Sequence, residues 1–189
     1  MARLDPRFTP LPNSTVTEVA DTLHGDGSAL YDESLTYRYR LSRVWNRQGG
    51  RLLFVMLNPS TATAEVLDPT VARTVRWARS WGFGSLEVVN IFALRSTDPS
   101  ALRGHSDPVG EHNDRCIEAA ASAADLCVAA WGVHGSLSER ALEVVSLLQR
   151  RNIPLHVLGT TRDGHPRHPL YLPNSVTASP WSGYPRHQR

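Results

Sequence analysis

Continuous apolar runs alternate with helix-length amphipathic segments along most of this 189-residue chain. That alternation limits the folds open to it more than any other feature. Arg51 to Leu57 is apolar without a polar alternate, the mark of a strand covered on both faces. Asp68-Pro69 then opens a helix, with Asp68 as its cap and Pro69 in its first turn. Val71, Val75 and Ala78 form its inner stripe, and Gly82 and Gly84 end it. Leu86 to Phe92 is a second buried strand, Leu126 to Trp131 a third and Leu155 to Leu158 a fourth. Helices over Glu111 to Ala124 and Ser136 to Arg151 separate them. This order predicts an α/β fold, a three-layer α/β/α sandwich with a mostly parallel central sheet.

The flanks are less regular. Pro6, Pro10, Pro12, Gly25 and Gly27 punctuate residues 1–35, which read as an N-terminal arm. Residues 36–189 read as one α/β domain. Its first strand, Thr36 to Trp45, alternates Tyr37, Tyr39 and Leu41 with Arg38 and Arg40, which suits a half-buried position. The tail from Thr160 is rich in Pro, Gly, His and Arg and predicts little regular structure. No apolar run is longer than Leu52 to Leu57, which falls far short of the ~20 residues that cross a bilayer. Met1 to Arg7 is followed by no apolar signal segment, and Cys116 and Cys127 are too few for a disulfide framework. A cytoplasmic monomer without a membrane partner is expected.

The net charge of +2 is a weak signal for nucleic acid. All 20 basic residues are arginine, so no side-chain amine can form a Schiff base.

Loops after parallel strands build the active sites of such folds, and the polar clusters fall there. Leu57-Asn58-Pro59-Ser60-Thr61 follows the first buried strand. The amide of Asn58 can orient a water or a substrate carbonyl, although a plain Asx-Pro turn is the simpler reading of this motif alone. Asn90 lies within a buried strand, where asparagine is a poor fit. It is either a satisfied core amide or the reader of a nucleobase edge. Trp131-Gly132-Val133-His134 follows the third strand. His165, His168, Arg162 and Arg167 follow the fourth, where His168 can donate to a developing oxyanion, bind metal or cap a loop. His105, Asp107, Glu111, His112 and Asp114 form another polar group, read more simply as a solvated loop with a helix cap than as a cation site. Nucleophile elbow, phosphate loop, GxGxxG and CxxC patterns are missing.

In order and spacing these landmarks resemble the uracil-DNA glycosylase superfamily, especially its mismatch-specific uracil/thymine branch. Met56-Leu57-Asn58-Pro59-Ser60 is similar to that branch's Gly-x-Asn-Pro-Gly. Leu86 to Asn90 matches a strand ending in asparagine, Trp131 to His134 a Trp-Gly-x-His segment, and His168-Pro169-Leu170-Tyr171-Leu172 a His-Pro-Ser-Pro-Leu segment. The likeness spans about residues 52–172. The whole chain also resembles an uncharacterised bacterial family with Leu-Asn-Pro-Ser and His-Pro-Leu-Tyr-Leu signatures.

The resemblance implies a uracil-DNA-glycosylase-like fold and a monofunctional DNA N-glycosylase, a hydrolase of DNA repair that works by base flipping. Asn58 would position the attacking water and His168 would stabilise the departing base. Asn90 would read the base edge, His134 would bind the substrate, and Ser60 and Thr61 would lie near a DNA phosphate. Leu172, with Tyr171, would wedge into the duplex. The scheme needs no cofactor and no metal, and its partner is single- or double-stranded DNA. Met56 and Ser60 replace glycines, Leu170 replaces a serine, and no acidic residue stands at the water-activating position. Slow action on plain uracil, or preference for another base, is therefore expected. Two other readings stand beside this one: an enzyme acting on a free nucleoside, nucleotide or other small molecule, and a non-catalytic nucleic-acid-binding module. Clustering of Arg73, Arg76, Arg95, Arg162 and Arg167 around one mouth would favour DNA, and dispersal a small molecule.

Overall fold

A computed structural model describes residues 11–184. The continuous apolar runs form the centre of one eight-stranded sheet. These are β4 (Arg51–Met56), β5 (Ser85–Asn90), β6 (Leu126–Ala129) and β7 (Leu155–Val157). They pair in parallel, in the order β5-β4-β6-β7. Around them lie β1 (Ser14–Thr22), β2 (Gly25–Asp32), β3 (Arg38–Val44) and β8 (Ser179–Trp181). The full order is β1-β2-β3-β5-β4-β6-β7-β8, and every junction involving an outer strand is antiparallel.

The sheet is thus mixed and mostly antiparallel. The expected mostly parallel three-layer α/β/α sandwich of the uracil-DNA glycosylase kind is corrected by this finding. The cause lies at the two ends of the chain. Residues 14–44 form an antiparallel meander that docks on β5, and the tail returns to pair with β7. The stretch read as an irregular arm therefore carries two strands. No position of β1 is buried, so this edge strand carries polar residues such as Thr15, Thr17 and Glu18 and lacks an apolar signature.

Helix α1 (Pro69–Ser80) starts as expected: the Asp68 carboxylate accepts from the Val71 amide at 2.8 Å, with Pro69 at its first position. It packs Val71, Val75 and Ala78 against Phe54, Leu86 and Val88 on one face of the sheet. The short helix α2 (Ala101–Gly104) buries Leu102. Helices α3 (Asn113–Ser122) and α4 (Arg140–Arg150) cover Leu53, Val55 and Val89 on the other face. A 3-10 turn over Val133–Glu139 replaces the first turns of the helix expected from Ser136. Cys116 and Cys127 are free and buried, and burial pushes both thiols up to about 12. Among the described residues no helix is long and apolar enough to cross a membrane.

Strand β3 is buried at every position rather than half-buried. Its arginines point to partners inside the protein. Arg40 pairs with Glu87 on β5. Arg38 donates to the Ala62 carbonyl at 2.6 Å and Arg43 to the Thr63 carbonyl at 2.6 Å. Two guanidiniums thereby grip the loop that follows β4. Strand β2 presses on the same loop: a Cβ at Gly27 would stand 1.9 Å from the Ala64 carbonyl oxygen. Gly27→Ala is expected to lower unfolding free energy by about 1–3 kcal/mol through overpacking, measured as a lower urea midpoint at unchanged slope.

Candidate functional site

Strand β4 lies between its two successors, β5 and β6, so the chain diverges at their carboxyl ends. Open sheets leave a crevice at such a point. Here it is a cleft of about 660 Å³, walled by the loops after β4, β6 and β7 and by the first turn of α1. Asn58, Ser60, Asn90, His134, His168, Tyr171 and Leu172 all line it. Thr61 does not; its side chain is exposed outside the cleft.

The end of β5 is held rigidly. Buried Asn113 donates to the carbonyls of Asn90 and Ile91 at 3.0 Å each, and the buried Arg140 Nε donates to Ile91 at 2.8 Å. Asn90 itself is only 2% exposed, and among the described residues its Nδ2 has no partner. A buried amide donor left in this state costs free energy until a ligand acceptor meets it.

Asn58 is oriented by the loop that follows β5. Its Nδ2 donates to the Ser96 carbonyl at 2.8 Å and to Pro59 at 3.1 Å. Those bonds commit the nitrogen and leave Oδ1 as the acceptor for the cleft.

His168 starts a 3-10 turn over Pro169–Tyr171, and its Nδ1 accepts from the Leu170 amide at 3.3 Å. That bond places the ring proton on Nε2. Burial holds the imidazole below its usual range, against an opposing pull from Asp68. His168 is thus a neutral donor near pH 7. Its NMR titration midpoint is expected below 6.5. Between that midpoint and 6.5 the unfolded chain binds a proton that the folded protein refuses. The contribution of His168 to stability is therefore full above 6.5 and declines as pH falls through this window.

The two residues read as a wedge part company. Leu172 is 7% exposed and packs in the core beside α1 while lining the cleft floor. Tyr171 stands 87% exposed at the mouth. The arginines are dispersed. Arg73 is spent on the Leu170 carbonyl and Asn174 Oδ1, and Arg95 on the Leu35 carbonyl. Of the five weighed, Arg167 alone lines the cleft.

Two cleft residues escaped the sequence reading as site residues. Asp68 was legible only as a helix cap, and Arg38 only as the outward position of an alternating strand. In the other polar cluster, Asp107 Oδ1 accepts from the amides of Val109 and Gly110 and Asp114 pairs with Arg140, which are structural duties. Among the described residues no group of three or more His, Cys, Asp or Glu is placed to hold a metal.

Residues 38–170, which contain this whole arrangement up to the turn after His168, match the family described as protein of unknown function DUF1643. The chain belongs to that family. No curated protein and no solved structure matches it. The DUF1643 region thus begins at Arg38 and takes in Asn58, Asp68, Asn90, Arg167 and His168.

Proposed function

We propose that the cleft hydrolyses the N-glycosidic bond of a nucleobase. One observation carries the reading: the acceptor Oδ1 of Asn58, the unpaired donor Nδ2 of Asn90 and the neutral Nε2–H of His168 converge in one cleft. A planar amide suits a base edge, and a neutral donor aimed in advance stabilises the anionic leaving base without reorganising. Asn58 Oδ1 orients the water and Asp68 takes its proton. The C1′–N bond breaks, the C1′–O bond forms, and the proton passes finally to the departed base. The enzyme would be cytoplasmic and monofunctional, since no lysine can trap the sugar.

Base excision from DNA is the first form of this activity, with Tyr171 holding the flipped position. Action on a free nucleoside or nucleotide is the second. It is favoured by arginines spent on carbonyls and by the burial of Leu172. One panel tests both. Labelled oligonucleotides carrying uracil, mismatched thymine, hypoxanthine and modified pyrimidines are incubated with the protein and cleaved with alkali. Free nucleosides and nucleotides are followed for base release. Base release that disappears in Asn58→Ala is expected. Release from none of the substrates would defeat the reading.

A further inference from the structure

We propose that this cleft takes its ligand by an anionic phosphate group, for which Arg38 is the counter-charge. The nucleobase side of that ligand rests on the function proposed above, but the phosphate side stands on its own observations. Arg38 is only 2% exposed and lines the cleft. One Nη donates to the neutral Ala62 carbonyl, and among the described residues Nε has no partner. Among the described residues no carboxylate pairs with it directly; Asp68 acts on it only through space. A buried guanidinium satisfied by one neutral carbonyl lacks charge compensation. A phosphate oxygen supplies both the charge and the acceptor.

The surroundings agree. The first turn of α1 opens on the cleft through Thr70 and Val71, and the positive end of a 12-residue helix attracts anions. Arg167 stands at the rim, tied by Nε to the Thr160 carbonyl at 3.1 Å. Asp68 opposes Arg38 through space, but one of its oxygens is already committed to the helix cap. Two cationic side chains against one carboxylate leave the unliganded cleft one positive charge in excess.

Arg43 separates this role from a structural one. It grips the neighbouring Thr63 carbonyl of the same loop and is as deeply buried, yet it does not line the cleft. Calorimetric titrations of the full chain with uridine, uridine 5′-monophosphate, ribose 5-phosphate, inorganic phosphate and a uracil-containing trinucleotide test the assignment. The monophosphate is expected to bind about tenfold or more tighter than the nucleoside, as a charge-assisted contact provides. Arg38→Met should erase that gap, Arg38→Lys should keep part of it, and Arg43→Met should keep all of it. Tighter binding of the trinucleotide than of the mononucleotide would support the assignment with a strand as its source, and the reverse would support it with a free nucleotide. Ribose 5-phosphate binding as tightly as the nucleotide, and only with Arg38 present, would uphold the anion site and remove the nucleobase. Equal affinity of the unsubstituted protein for uridine and its monophosphate would overturn the proposal, whatever the variants do. So would a phosphate preference that survives Arg38→Met.

Discussion

Loss of the His168 imidazole is expected to cut turnover by about 10²-fold or more, the scale on which a single preorganised donor acts. The ring does two things, and two substitutions tell them apart. Its Nδ1 caps the turn that carries Leu170 and Tyr171, while its Nε2–H serves the cleft. His168→Ala removes both. His168→Asn retains a capping oxygen, since asparagine is among the best caps, but places no donor where Nε2 stood. Both variants are therefore expected to be slow in a base-release assay, and only the alanine variant should melt earlier. Activity restored by asparagine would show that the histidine merely shapes the turn. The same assay should show Asn58→Ala comparably impaired, because its committed Nδ2 leaves Oδ1 no other duty than the cleft.

Asp68→Asn is the second large effect, and it isolates charge from structure. The carboxylate caps α1 through the Val71 amide at 2.8 Å, and asparagine caps a helix about as well. Thermal stability of Asp68→Asn should therefore match the parent protein, while turnover falls about 10²-fold or more with the loss of a general base. Asp68→Ala should lose the activity and also about 1 kcal/mol of stability. Full turnover in Asp68→Asn would reduce this residue to a cap and return water activation to an unassisted amide.

The parallel part of the sheet was legible because strands covered on both faces need no polar alternate, as in Leu52 to Leu57. Helix α1 was legible because Asp68 and Pro69 are local signals that need no tertiary partner. Strands β1 and β2 were not, because an edge hairpin of Thr, Glu, Ser and Gly resembles a loop until something docks beside it. The placement of β3 next to β5 is equally non-local. It buries Arg43 and also Arg38 and Arg40, the two that alternation alone turns outward. The site followed the same division. Asn58 and Asn90 betrayed themselves as polar residues at the ends of apolar strands. Arg38 was hidden by its strand period and Asp68 by a sufficient local duty. The burial of Leu172 was not legible, because an apolar side chain after a turn reads alike as wedge or as core. Thr61 misled because the residue beside it, Ser60, faces the cleft while it faces away.

The grip of Arg38 and Arg43 on the loop after β4 has a consequence for how the chain is made. The arginines precede that loop in sequence, but they come from β3, whose seat in the sheet is beside β5 rather than β4. A growing chain that has emerged only as far as the loop holds both clamps and has nowhere to put them. The cleft wall can close only after Ser85–Asn90 has been synthesised and inserted between strands already outside. Long-range pairing of this kind is slow. Until it completes, the segment with Asn58 stays open to proteases and to misassociation, so the ribosome must deliver about half the protein before the binding wall can exist.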